Sequence, residues 1–163
     1  QFDPLLISCW YESAFPSRSR FLDYHQMQGT RDFSAFLTVQ KALDFMKEHN
    51  WTEVSANCKA LARNNYQRFC DLLGTAPLCP ISEEFLGQMC SVELNTDEPE
   101  RLQRHLFEKY RIEIPVMRHE DHIYIRYSIQ GFNSQADLDK LFAALCEIIA
   151  TTDLIRVNEK SNI

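Results

Sequence analysis

The run Gln28-Gly29-Thr30-Arg31-Asp32-Phe33-Ser34 gathers a glycine, a hydroxyl, a fixed positive charge and a carboxylate directly before an amphipathic stretch. Glycine permits close backbone approach to a ligand. A hydroxyl with free amides ahead of a helix N-terminus suits an anion such as phosphate. The same residues also describe an ordinary capped loop, in which Asp32 or Ser34 caps the helix and Arg31 pairs with Asp32. The second candidate is Arg126. In Ile123-Tyr124-Ile125-Arg126-Tyr127-Ser128 the apolar positions alternate, so Tyr124, Arg126 and Ser128 share the opposite face of a strand. A guanidinium there needs water or a carboxylate. It is either a solvent-facing residue or a fork for an anionic guest. His119 and His122 flank Glu120-Asp121, but no further ligand follows at a useful spacing, so a polar turn between strands is expected and not a metal site.

The elements that must position these groups follow from periodicity. Apolar residues in 1–28 (Leu5, Leu6, Ile7, Trp10, Phe15, Phe21) alternate with prolines and serines, which predicts a short strand and an irregular loop in need of a surface to cover. Residues 35–49 place Phe36, Val39, Leu43 and Met46 on one helical face. Thr52 is a possible N-cap for a longer helix to about Leu73, its apolar side carrying Val54, Cys58, Leu61, Phe69 and Leu72. Gly74 stops it, and Pro77 and Pro80 forbid continuation, which makes 75–82 the candidate domain boundary.

Beyond that boundary the pattern reads strand, helix, strand, strand, helix. Residues 86–94 form the first strand, and Thr96-Asp97-Glu98-Pro99 opens a helix with proline early. Ile112, Ile114 and Val116 alternate in the second strand, and Ile123, Ile125 and Tyr127 in the third. Asn133 or Ser134 caps the last helix, with Ser134 and Asp137 spaced as a capping box. The chain is thus expected to be α+β: two long helices, then a β-α-β-β-α small domain. Residues 1–76 and 77–153 are the expected domains, and 154–163 a polar, frayed tail.

Composition narrows the function classes. Among 163 residues, 45% are hydrophobic and 25% charged, ordinary for a globular chain. A net charge of −6 argues against a nucleic-acid binder. No stretch approaches the roughly 18–20 apolar residues needed to cross a bilayer, and no basic, apolar leader opens the chain. Gln1 in place of methionine suggests a start inside a longer protein or at a processing site. The six cysteines include no C-x-x-C pair and sit within apolar patterns, as expected for reduced thiols in the cytoplasm.

The run from Gln28 to Trp51 resembles the segment of class V aminotransferase-family enzymes, especially the isopenicillin N epimerase-like branch, in which a GTRD loop leads into a helix. Tyr124-Ile125-Arg126-Tyr127-Ser128 with Gly131-Phe132-Asn133 resembles the strand-and-turn signature of the wider cysteine desulfurase-like family, Phe132 standing for its usual tyrosine. The match covers nearly the whole chain in the right order, as the C-terminal part of such an enzyme. The resemblance implies a pyridoxal-phosphate transferase of fold type I with pyridoxal 5'-phosphate as cofactor. It implies a small-molecule amino-acid substrate and a homodimer. Gly29 and Thr30 would contact the cofactor phosphate, Thr30 reaching the partner's cofactor. Arg126 would hold the substrate α-carboxylate, and Asn133 would serve as a cap.

Pyridoxal chemistry also needs a lysine amine for the Schiff base. Lys41, Lys47, Lys59, Lys109 and Lys140 fall on polar faces or ends of expected helices, Lys160 falls in the tail, and none matches the family's motif. The chain therefore offers no catalytic residue, and by itself it is expected to be inactive. Transamination, epimerisation and lyase chemistry stay open. A free-standing, non-catalytic α+β ligand-binding or regulatory module is the alternative.

Overall fold

The structure, a computed structural model, describes residues 15–26 and 32–157. The chain divides into two compact units, Gln1–Lys47 and Glu48–Ile163. The division falls earlier in the chain than the proline-containing stretch 75–82, because the longest helix lies with the sheet.

The first unit contains helices α1 (Arg20–Gln26), α2 (Ser34–Leu37) and α3 (Val39–Glu48). The single helix expected over 35–49 is interrupted at Thr38. Its hydroxyl donates to the Ala35 carbonyl at 2.9 Å, a back-bond that competes with the regular ladder and bends helices. Phe36, Val39, Leu43 and Met46 are all exposed, by 44% to 59%. The face is amphipathic as the spacing predicts, but none of α2 or α3 is buried.

The second unit is built on α4 (Trp51–Leu73) and a three-stranded antiparallel sheet. Asn50, not Thr52, precedes α4. It adopts the left-handed region (φ 46°), which asparagine tolerates, and its side-chain amide donates to Glu53 at 2.7 Å. Gly74 ends α4 in the left-handed conformation (φ 68°), and the Thr75 N–H closes back on the Cys70 carbonyl at 3.0 Å. Between these ends Cys58, Ala62, Tyr66, Phe69, Cys70 and Leu73 form one buried stripe, with Leu61 and Leu72 at its borders.

Strands β1 (Met89–Glu93), β2 (Val116–His119) and β3 (His122–Ser128) are ordered β1-β3-β2, with β3 central. The first strand is shorter than the expected 86–94. The second starts late, because Pro115 has no N–H to give a ladder, and 112–115 runs unpaired toward it. α5 (Pro99–Tyr110) opens with proline, as expected, and ends at the left-handed Arg111 (φ 57°). α6 (Gln135–Thr151) carries the expected capping box of Ser134 and Asp137. Leu102 and Leu106 of α5, the α4 stripe, and Leu138, Leu141, Leu145 and Ile148 of α6 meet the inward residues of the sheet in one core. Residues 154 and 155 do not fray as expected: Leu154 and Ile155 are buried, and the Arg156 N–H donates to the Asn95 carbonyl at 2.9 Å.

Side chains plug the backbone groups on the outer edges of the sheet. Tyr66 donates from its hydroxyl to the Ser91 carbonyl (2.9 Å) and accepts from the Leu78 N–H (3.1 Å). Thr75 donates to the Glu93 carbonyl (3.1 Å), and Gln103 accepts the Val116 N–H (3.1 Å). Edges satisfied in this way offer less template for pairing with another chain.

The packing has two measurable consequences. Tyr66→Phe strands two part-buried backbone groups and should destabilise the unit by about 0.5–1.5 kcal/mol in urea titration; a loss below the error of the titration would contradict the plug. His122 Nδ1 lies 2.7 Å from Glu93, and the carboxylate's hydrogen bond, then its charge, holds the imidazole pKa above its ordinary value. A raised histidine pKa contributes stability in full below its unfolded value and loses it as pH climbs through the folded one. The melting-temperature advantage of the native chain over His122→Ala should therefore shrink between about pH 6 and pH 8. An advantage independent of pH would show that the pair is neutral.

Candidate functional site

Inward alternation fixes Arg126. Ile123, Ile125 and Tyr127 of β3 are buried in the core, so Tyr124, Arg126 and Ser128 project from the other face, as the sequence predicts. Tyr127 anchors the register from below: its hydroxyl donates to the Ala62 carbonyl at 2.7 Å, and its ring lies 5.2 Å from that of Phe69. Burial drives the Tyr127 pKa strongly upward, so this phenol stays neutral and takes no part in proton chemistry.

Arg126 is half-buried and pairs across the ladder with Ser91. Its backbone N–H donates to the Pro115 carbonyl at 3.2 Å. It lines a hollow of about 210 Å³, walled by Ile112 to Pro115, the end of β3 and the first turn of α6. Its Nε is buried without a hydrogen-bond partner, and no ion pair to Arg126 occurs among the described residues. A guanidinium without an ion pair beside a hollow can receive a carboxylate through whichever of its N–H groups reach the space.

The turn that closes this hollow is held by its own residues. The Gln130 N–H donates to Asn133 Oδ1 at 2.9 Å, and the Asn133 N–H donates to the Gln130 carbonyl at 2.8 Å. Asn133 therefore shapes the turn, and the cap of α6 is Ser134. Gly131 presses on the start of α4: a Cβ there would lie 3.2 Å from Val54 Cγ1 and 3.6 Å from the Trp51 ring. The turn's height over the hollow thus depends on the absence of a side chain. Phe132 projects outward, 84% exposed.

Gly29 and Thr30 lie outside the described residues, as does Arg31. Immediately downstream, Asp32 Oδ1 accepts the Ser34 N–H at 2.8 Å and also its hydroxyl. These bonds hold the Asp32 pKa below the usual carboxylate range. The N-cap of α2 is Phe33, without a capping side chain, so neither Asp32 nor Ser34 is the cap expected from the sequence; Asp32 instead closes a local turn on Ser34.

The described lysines do not fit the Schiff-base role. Lys41, Lys47, Lys59, Lys109 and Lys140 are all exposed. Lys109 is bonded to Glu147 at 2.7 Å, which raises its pKa, opposite to what an amine nucleophile needs. Among the described residues no group of three or more His, Cys, Asp or Glu could hold a metal ion. None of the helices there is long and apolar enough to cross a membrane. A larger hollow of about 420 Å³, lined by Arg104, Phe107 and Glu113 among others, lies along α5 and shares the 112–114 wall with that of Arg126. A polar one of about 270 Å³ holds Glu93, Asp97 and His122, whose charges are already matched within the chain by His122–Glu93 and Arg156–Asp97. Sequence reasoning missed Glu113 and Asp137 as neighbours of Arg126, since nothing in their spacing signals it.

No family model matches the chain. It is similar to isopenicillin N epimerase of Amycolatopsis lactamdurans, 27% identical over 124 residues, covering 76% of this chain and 31% of that protein. It is also similar to isopenicillin N epimerase of Streptomyces clavuligerus, 30% identical over 122 residues, covering 74% of this chain and 30% of that protein. The chain thus spans about a third of the length of these relatives. Among solved structures it superposes on 8-amino-7-oxononanoate synthase (bioF) of Francisella tularensis with a TM-score of 0.57 at 16% identity, covering 80% of this chain and 36% of that one. Over about three quarters of its own length the chain is thus similar to isopenicillin N epimerases, and its fold is that of part of a pyridoxal-phosphate fold type I enzyme.

Proposed function

We propose that this chain is the C-terminal part of a pyridoxal-phosphate-dependent enzyme acting on a small amino acid, and that Arg126 holds the substrate's α-carboxylate. The observation that carries the reading is Arg126 lining its hollow with no ion pair among the described residues. A guanidinium without a counter-charge gains charge-assisted hydrogen bonds from a carboxylate guest. Held in that fork, an amino acid has its Cα substituents aimed in one direction, which orients the bond to be broken. The described residues do not supply the cofactor's own lysine, so the group that would act as electron sink is proposed to be bound by the upstream part of the protein. Transamination, epimerisation and lyase chemistry all share that requirement.

Gly29 and Thr30, ahead of α2, are proposed to contact the cofactor phosphate, Thr30 reaching the partner subunit of a homodimer. The exposed apolar side chains of α2 and α3 support a larger parent, since a free-standing module would leave them in water. The free thiols of Cys58, Cys70, Cys79, Cys90 and Cys146 suit the cytoplasm, where we place the enzyme.

In the protein at its natural length, Arg126→Ala should lower kcat/KM for the amino acid about 100-fold while cofactor affinity stays within about twofold. Arg126→Lys should recover little of this, because a point charge cannot replace a fork. Equal losses of substrate and cofactor binding would contradict the assignment. Thr30→Ala should loosen the cofactor about tenfold, measured by its release on dialysis, with little change in substrate KM; unchanged retention would remove Thr30 from the phosphate site.

A further inference from the structure

We infer that Gln88 is a positioning residue for the hollow beside Arg126: its side-chain amide clamps the turn 129–133 that walls the hollow, and so sets how tightly a carboxylate guest is held. The inference rests on the reading of Arg126 as the group that takes the carboxylate.

The strand ladder stops one residue short of the turn. β1 and β3 pair as far as Met89 and Ser128, and Gln88 extends the pairing by one step, its carbonyl accepting the Ile129 N–H at 2.8 Å. Its side chain then reaches over the turn. Nε2 donates to the Ile129 carbonyl at 2.8 Å and to Gln130 Oε1 at 3.3 Å, so the N–H and the carbonyl of Ile129 both end on Gln88. Gln130 Oε1 also accepts the Gly131 N–H at 3.0 Å. At the other end of the amide, Gln88 Oε1 accepts from the Ser55 hydroxyl of α4 at 3.1 Å. One half-buried amide thus ties the turn to the end of the sheet and to α4.

Ser128, Ile129 and Asn133 line the hollow, and Gln88 does not. Gln88 therefore acts only through the turn. The two bonds between Gln130 and Asn133 lie within the turn and fix its shape, not its place. Gly131, against the start of α4, limits approach on one side only. Without the Nε2 donor, the Ile129 carbonyl and Gln130 Oε1 turn to water and the wall can retreat from Arg126. A binding site keeps its geometry through supporting hydrogen bonds of this kind, and a part-buried one is worth about a fivefold change in an equilibrium.

Propionate, a carboxylate that lacks an amino group and so binds without reacting, tests this by calorimetric titration of the natural-length protein. The native protein should bind it, and Gln88→Met, which keeps the bulk of the side chain but not its donor, should weaken binding about fivefold. Gln88→Glu keeps an acceptor for Ser55 and removes the donor, so it should bind no tighter than Gln88→Met. Thr75→Val is the control for stability alone: it removes a part-buried bond of similar length, 3.1 Å to the Glu93 carbonyl, at the far end of β1. It should leave propionate affinity within about twofold. Native affinity in either Gln88 variant overturns the inference, as does an equal loss in Thr75→Val. In each of these cases the Arg126 reading survives if Arg126→Gln abolishes binding. Propionate binding that is absent from the native protein, or untouched by Arg126→Gln, overturns the Arg126 reading itself, and with it this one.

Discussion

A three-stranded sheet with one dry face decides where the charged groups of the second unit can go. The central strand β3 is paired on both sides, and its Ile123, Ile125 and Tyr127 enter the core. Side chains alternate with a period of two, so a slip of one residue would exchange that apolar set for Tyr124, Arg126 and Ser128. Burying a guanidinium without a partner costs several kcal/mol. The dry face therefore holds the register, and the register presents Arg126 to its hollow. The placement of Arg126 is a by-product of the packing beneath it.

The same helix that packs the sheet also finishes it. Tyr66 lies on the buried stripe of α4, yet its hydroxyl ties the Ser91 carbonyl to the Leu78 N–H. Thr75, just past the end of α4, ties the Glu93 carbonyl. On the other edge Pro115 lends its carbonyl to Arg126, while its missing N–H ends the ladder and leaves 112–115 as a wall. That wall carries Glu113 to the mouth of the hollow.

How much of this the residues disclose depends on the range of the interaction involved. The outward turn of Arg126, the stop at Gly74 and the Ser134–Asp137 box are local or strictly periodic, and they stand in the structure where spacing puts them. Asn50 displaces Thr52 as the start of α4 because a left-handed residue, which asparagine tolerates, and not a capping hydroxyl makes the break. Thr38 divides a continuous apolar pattern through a back-bond that a hydrophobic period does not register. Glu113 and Arg126 are brought to one hollow by the β2–β3 pairing, a relation between distant residues that neither short stretch encodes by itself. Resemblance implies the cofactor, and geometry gives the Arg126 hollow; the two meet only at that residue.

The first unit poses the opposite case, a legible pattern without a matching interior. α3 has ten residues, too short to be stable in water by propensity alone. Its apolar stripe, continued by Phe36 of α2, meets solvent. Covering a side chain of this kind is worth about 1.5–3 kcal/mol, so a stripe of four carries several times the marginal propensity of the helix that displays it. An amphipathic pattern maintained at that strength implies an apolar surface to receive it. The chain spans about a third of the length of its relatives, and among the described residues the face that the spacing marks as apolar stays exposed.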